Sequence, residues 1–210
     1  NVIQDAGGNA VFTSNGSGTL SGMNSGFGGA LNLLSTQTAS SNATSVSFTT
    51  GIDSTYDVYI FKWFDMQPTG DGAHLSFQGN VAGQSGFNET ITSTSFRVYH
   101  KENDATPALE YYASGDQAQG TGYQWISGNC GDDSDQSGVG TLHLFNPSST
   151  TYVKHFYAQG QSYDGNDGVM THFTGGYFNV TGAIDEISFA MTHSSNIESG
   201  TIKMYGISKS

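Results

Sequence analysis

From Ser45 onward, apolar and polar positions alternate in short runs separated by Gly, Ser, Asn and Asp. A period of two places one parity of side chains on a core and the other on solvent, which marks strands rather than helices. In the stretch Ile184 to Ile207, Ile187, Phe189 and Met191 alternate with Ser188, Ala190 and Thr192. After a polar turn from His193 to Gly200 the alternation resumes at Ile202 and Met204. This pattern predicts a closing hairpin with one apolar face.

Upstream, Ser45 to Thr49 reads as a short strand, and Tyr56 to Met66 is the most hydrophobic passage of the chain. In that passage Tyr56, Val58, Ile60 and Phe64 share one parity and Tyr59, Phe61 and Trp63 the other, so both faces need cover. It is therefore expected to be a central strand, covered by the opposite sheet and by a loop or another protomer. Leu142 and Leu144, the turn Asn146 to Ser149 and the run Tyr152 to Tyr157 predict a second hairpin. Ala108 to Ala113 is read as a strand. Turn signals recur roughly every 8 to 15 residues to the end, as in a sandwich or barrel. The predicted fold is all-β, an antiparallel two-sheet β-sandwich of jelly-roll-like type over residues 36–210.

Residues 1–35 differ. From Ala6 to Ser35 only Val11, Phe12, Leu20, Met23, Phe27 and Leu31 to Leu34 interrupt a run of small residues, too few to bury a core. This segment is expected to be an extended N-terminal docking arm, with a small hairpin turning at Asn15-Gly16.

Composition supports the strand reading: 29 Gly but only 3 Pro, and 11% charged residues, suit many turns and few helices. The 18 acidic and 6 basic residues leave a formal net charge of −12, which repels the nucleic-acid backbone and anionic membrane surfaces. Neither nucleic acid nor a membrane is an expected partner. No signal peptide is visible at the start of the sequence. Cys130 is the only cysteine, so stability must come from burial and assembly rather than from disulfides. Sequons at Asn15, Asn42, Asn88 and Asn179 are chance matches in so Asn-, Ser- and Thr-rich a chain.

Candidate chemistry is sparse. No Gly-x-Ser-x-Gly stands in a strand-to-helix setting, so no serine is marked as a nucleophile. Asp185 and Glu186 are adjacent on a strand and should point to opposite faces, which argues against a paired-carboxylate site. Asp132, Asp133 and Asp135 supply the hard oxygen ligands that calcium uses, without the EF-hand spacing, and form the calcium candidate; Asp164, Asn166 and Asp167 are a second such group. No other cofactor is expected. The six histidines are scattered, although His143 and His155 fall on the two arms of the second hairpin. Tyr123 and Trp125, near Tyr111 and Tyr112, are the candidate aromatic platform for carbohydrate.

Three passages, GIDSTYDVYIFKW (Gly51 to Trp63), GTLHLFNPSSTTYVKHF (Gly140 to Phe156) and SGTIKMYGI (Ser199 to Ile207), resemble virion structural proteins of tailed bacteriophages of marine type. The similarity spans about Ser45 to Ile207. It implies a non-enzymatic protein of the particle surface, a capsid decoration or a head or tail appendage that stabilises the particle or mediates adhesion. It implies other virion proteins as partners and a homo-oligomer, by analogy a trimer. The alternative is a carbohydrate-binding receptor module of a tail fibre that recognises a host-surface glycan. The resemblance brings no catalytic residue with it.

Overall fold

The computed structural model describes residues 1–17, 20–21, 30–105 and 107–208, and among these the chain forms strands and no helix. In chain order they are β1 (Val2–Gln4), β2 (Ala10–Ser14), β3 (Leu20–Ser21), β4 (Leu31–Thr38), β5 (Val46–Phe48) and β6 (Val58–Pro68). There follow β7 (Leu75–Val81), β8 (Ile91–Lys101), β9 (Ala108–Tyr111), β10 (Ala118–Gly120) and β11 (Gln124–Trp125). The last are β12 (Gly138–Phe145), β13 (Lys154–Asp164), β14 (Gly168–Phe178), β15 (Ile184–Met191) and β16 (Ile197–Ile207).

The described strands pair antiparallel in three sheets. The largest has nine strands in the order β10-β8-β14-β13-β12-β6-β16-β4, with β9 also on β8; a second has four, β11-β7-β15-β5; a third comprises β1-β2-β3. The first two make the predicted antiparallel β-sandwich. They are unequal, whereas jelly-roll order divides eight strands between two sheets.

Alternation in the sequence becomes alternation of faces. Along β13, Phe156, Ala158, Gly160 and Ser162 are buried while His155, Tyr157, Gln159 and Gln161 are exposed. The inner faces of the two sheets meet through aromatic rings. Phe48 of β5 and Phe189 of β15 lie against Phe61 of β6, with centroids 5.3 and 5.5 Å away. Phe77 of β7 meets Phe156 of β13 at 4.9 Å and Phe178 of β14 at 5.8 Å, edge to face. Each ring is buried, and burying one contributes roughly 1.5–3 kcal/mol relative to leaving it in water.

β6 is central, paired with β12 on one side and β16 on the other. Tyr59, Phe61 and Trp63 are fully buried on its inner face, as the doubled hydrophobicity predicts. Its outer face is only partly covered: Ile60 is buried, Lys62 half-buried and Phe64 exposed.

The closing pair differs from the expected hairpin. β15 pairs with β7 and β5 in the small sheet, whereas β16 pairs with β6 and β4 in the large one. The chain crosses between sheets through His193 and Ser194, both with left-handed backbone at φ 60°. An apolar parity on each strand fits two strands facing each other across a core as well as two lying side by side.

The N-terminal part also sharpens. β2 and β3 form the expected hairpin, joined at Ser14 and Leu20, and β1 adds to β2. Asp5 braces the β1–β2 turn by accepting the Gly7 and Asn9 amides at 2.8 and 2.9 Å. Met23 and Phe27 lie outside the described residues. Leu31 to Leu34, read as part of the arm, instead begin β4 and edge the large sheet.

The large sheet extends beyond the small one at β8 and β14, and there residues 125–130 cover its inner face. Thr174 donates to the Trp125 carbonyl at 3.0 Å, and Ser162 donates to the Gly128 carbonyl. This approach needs Gly160, where a Cβ would overlap the Ile126 carbonyl and Ser127. Gly160→Ala is therefore expected to cost about 1–3 kcal/mol by forcing that segment off the sheet. Gly175→Ala, at a glycine with nothing within 4 Å of the added carbon, should be neutral or stabilising by about 0.5–1 kcal/mol. Urea unfolding of both variants at unchanged m-value measures the contrast.

Candidate functional site

Trp125 is not a free platform. β11 pairs it with Ser76 of β7, and the residue just before β7, His74, stacks on the indole with centroids 4.0 Å apart and planes 6° from parallel. His193, carried in by the crossing after β15, meets both rings at 5.1 and 5.4 Å. Tyr112, just after β9, approaches Trp125 at 5.9 Å and His172 of β14 at 5.6 Å. Three of the six histidines thus gather around Trp125 and Tyr112, although nothing in their spacing along the chain announces it.

Arg97 of β8 closes the group, its guanidinium 3.9 Å above the Tyr112 ring and 2.6 Å from the Glu110 carboxylate. Gln124 also donates to the Gly115 carbonyl at 2.6 Å and accepts from the Ser93 hydroxyl at 2.6 Å, which ties β11 to β8 and to the loop between β9 and β10. Tyr123, the other predicted platform residue, is half-buried on the same parity as Trp125.

The chemistry of this cluster is neutral. The Asn129 amide stands 3.1 Å from His74 Nδ1 and the Ser127 carbonyl 3.2 Å from the same nitrogen, so the two contacts call for opposite ring tautomers. Burial pushes His74 down to about 4; the Ser127 carbonyl opposes the shift, and His193, His172 and Arg97 add to it. His172 is likewise pushed down to about 4 by burial, with Arg97 adding to it. The Ser127 carbonyl opposes this shift too, and Nδ1 is buried with no hydrogen-bond partner among the described residues. Its Nε2 is hydrogen-bonded to Ser95. Ser95 and His172 superficially form a nucleophile and base, but both are fully buried and a substrate has no path to them.

The acidic candidates are likewise structural. Asp132, Asp133 and Asp135 are exposed, and the first two offer only their backbone carbonyls to Gln67 Nε2, at 3.3 and 2.7 Å. Asp164 is buried as a turn brace, accepting from Asn129 Nδ2 at 2.7 Å and from the Asn166 amide at 2.8 Å. Among the described residues no three His, Cys, Asp or Glu side chains are placed to hold an ion, so the structure does not gather Asp132, Asp133 and Asp135 into a calcium site. His143 and His155 each meet a tyrosine, Tyr157 at 4.5 Å and Tyr177 at 5.9 Å. Glu186 accepts from Asn80 Nδ2 at 2.9 Å. Cys130 is buried, and its thiol is pushed up to about 12 by that burial, then by Asp71 and Asp164, which leaves it unreactive.

The surface with binding character is the outer face of the large sheet. Leu109 and Tyr111 of β9, 70% and 59% exposed, adjoin Phe96 and Val98 of β8, and beyond them come Val169 and Phe173 of β14 and Tyr157 of β13. Monomeric proteins seldom leave so continuous an apolar surface without use. Tyr157 was visible in the sequence as a strand residue, but alternation alone does not say which parity faces out.

Comparison of the chain with protein-family models, with curated proteins and with solved structures finds no match in any of the three.

The buried histidines set a pH dependence. Both sit below the ordinary imidazole value of 6.5, so the folded state binds fewer protons than the unfolded one between that value and about 4. Stability is full above pH 6.5 and is lost as pH falls toward 4, by on the order of 3 kcal/mol for each group. Urea unfolding at pH 7.5 and pH 4.5 should show the loss, and His172→Gln should remove about half of the slope.

Proposed function

We propose that this chain is a non-enzymatic structural protein of a phage particle surface, a capsid decoration or a head or tail appendage, attached through its N-terminal sheet. The observation that carries this reading is the character of that sheet. Residues 1–10 are all exposed, Val2 and Ile3 included, and residues 11–14 are only half-buried, so the segment has order but no interior. A strand pair of that kind gains its stabilising contacts by lying on something else.

Two further features support it. The large sheet ends at β4, whose residues LNLLSTQT carry no charge and no proline and leave Leu31 and Leu33 exposed. Such an edge invites pairing with another chain, which natural monomers usually prevent with charge or proline. The three passages that resemble marine-type phage virion proteins also fall together: they contain parts of β6, β12, β13 and β16, four neighbouring strands at the middle of the large sheet. Their residues are mostly core and ladder positions, so the resemblance follows the scaffold, and attachment rests on the arm. A homo-oligomer with other virion proteins as neighbours suits both edge and arm.

Removal of residues 1–29, which leaves β4 intact, tests the reading. The truncated chain should keep the cooperative unfolding transition of the full chain and lose incorporation when supplied to particles produced without it. Normal occupancy of the truncated protein on particles would overturn the attachment role.

A further inference from the structure

We propose that the outer face of the nine-stranded sheet holds a binding site for a neutral oligosaccharide, centred on a notch at Gly175. The inference goes beyond attachment to a particle and stands without it.

Antiparallel register places His143 of β12, Tyr157 of β13, Gly175 of β14 and Thr94 of β8 in one line across the outer face. The adjacent line runs through Thr141, Gln159, Phe173 and Phe96. His143 and Tyr157 stack with centroids 4.5 Å apart and planes 17° from parallel. At the opposite corner Phe173 and Phe96 stack at 4.7 Å and 12°. Gly175 contributes no side chain between the two aromatic pairs, and a Cβ there would find open space out to 4 Å. The result is a cleft of about 550 Å³ with ring surfaces at two corners.

A pyranose has one face of C–H groups, which packs on aromatic rings, and a rim of hydroxyls that needs donors and acceptors. The cleft provides both. Thr141 lines it, and its hydroxyl is buried with no hydrogen-bond partner among the described residues. The Gln159 amide stands beside it on the exposed side. Charge selects a neutral ligand. No Asp, Glu, Lys or Arg lines the cleft, His143 is held below the ordinary imidazole range by burial and then by Lys62, and the chain's net charge of −12 disfavours polyanions. The competing occupant is a second copy laid face to face.

Calorimetric titration of the full chain with cellohexaose, laminarihexaose and mannohexaose tests the site. At least one should bind with a Kd between about 10 μM and 1 mM. Tyr157→Ala should weaken that binding about tenfold or more. Gly175→Val, which fills the notch with a residue suited to strands, should do the same without lowering Tm. Tyr152→Ala, an exposed tyrosine outside the cleft, should leave affinity unchanged. The proposal is overturned if none of the three sugars binds at about 10 mM, if binding survives both cleft substitutions, or if sedimentation shows a dimer that Tyr157→Ala disperses. Particle loading by the cleft variants reports separately on attachment, because residues 1–29 are intact in them.

Discussion

The constraint that organises this protein is the mismatch between its two sheets. Four strands have one face with which to cover the inner side of nine, and the rings of Phe48, Phe77 and Phe189 seal only the part over β6, β13 and β14. The remainder, over β8 and the far half of β14, would otherwise expose Ser95, Met170 and His172 to water. The chain meets this by laying residues 125–130 along the sheet and filling the gap with Trp125, His74, Tyr112 and Arg97. The histidine cluster is thus the packing solution for an overhang, and the low values of His74 and His172 follow from their being used as core.

The same mismatch accounts for the outer face. A sheet this wide, in a chain with 11% charged residues, has few charges with which to cover its second side. Aromatic and β-branched residues occupy the outward parity instead, where cross-strand pairs such as Phe96 with Phe173 stabilise the sheet itself. The surface is therefore apolar for a reason internal to the fold, and it presents its rings in fixed positions.

Much of this was legible in the sequence. Period two gave the strand content, the Asn146-Pro147 turn the β12–β13 hairpin, and the doubled hydrophobicity of Tyr56 to Met66 the centre of the large sheet. What stayed hidden was set by contacts between distant residues. The crossing from β15 to β16 looks like a hairpin because Ile187 and Phe189 on one side, and Ile202 and Met204 on the other, show the same parity in either arrangement. Trp125 looks like a platform because an indole beside turn residues is equally suited to a surface and to an overhang; only His74, some fifty residues away, decides. His74, His172 and His193 carry no common spacing, since two strand ends and the interior of β14 bring them together.

Regularity within the large sheet is uneven, and its distribution bears on what the outer face can do. The pairings of β6 with β12 and with β16 contain register shifts near the Pro68 end, and that of β16 with β4 contains one between Met204 and Tyr205. The ladders from β12 through β13 and β14 to β8 run without one. Bulges twist a strand and re-aim its side chains, whereas an unbroken ladder keeps outward residues of neighbouring strands about 5 Å apart in straight rows. The aromatic pairs around Gly175 stand on that unbroken part, above the inner rings Phe156 and Phe178 that are locked against Phe77. A ligand that settles there meets groups already held in place, so little of its binding free energy is spent on ordering the protein.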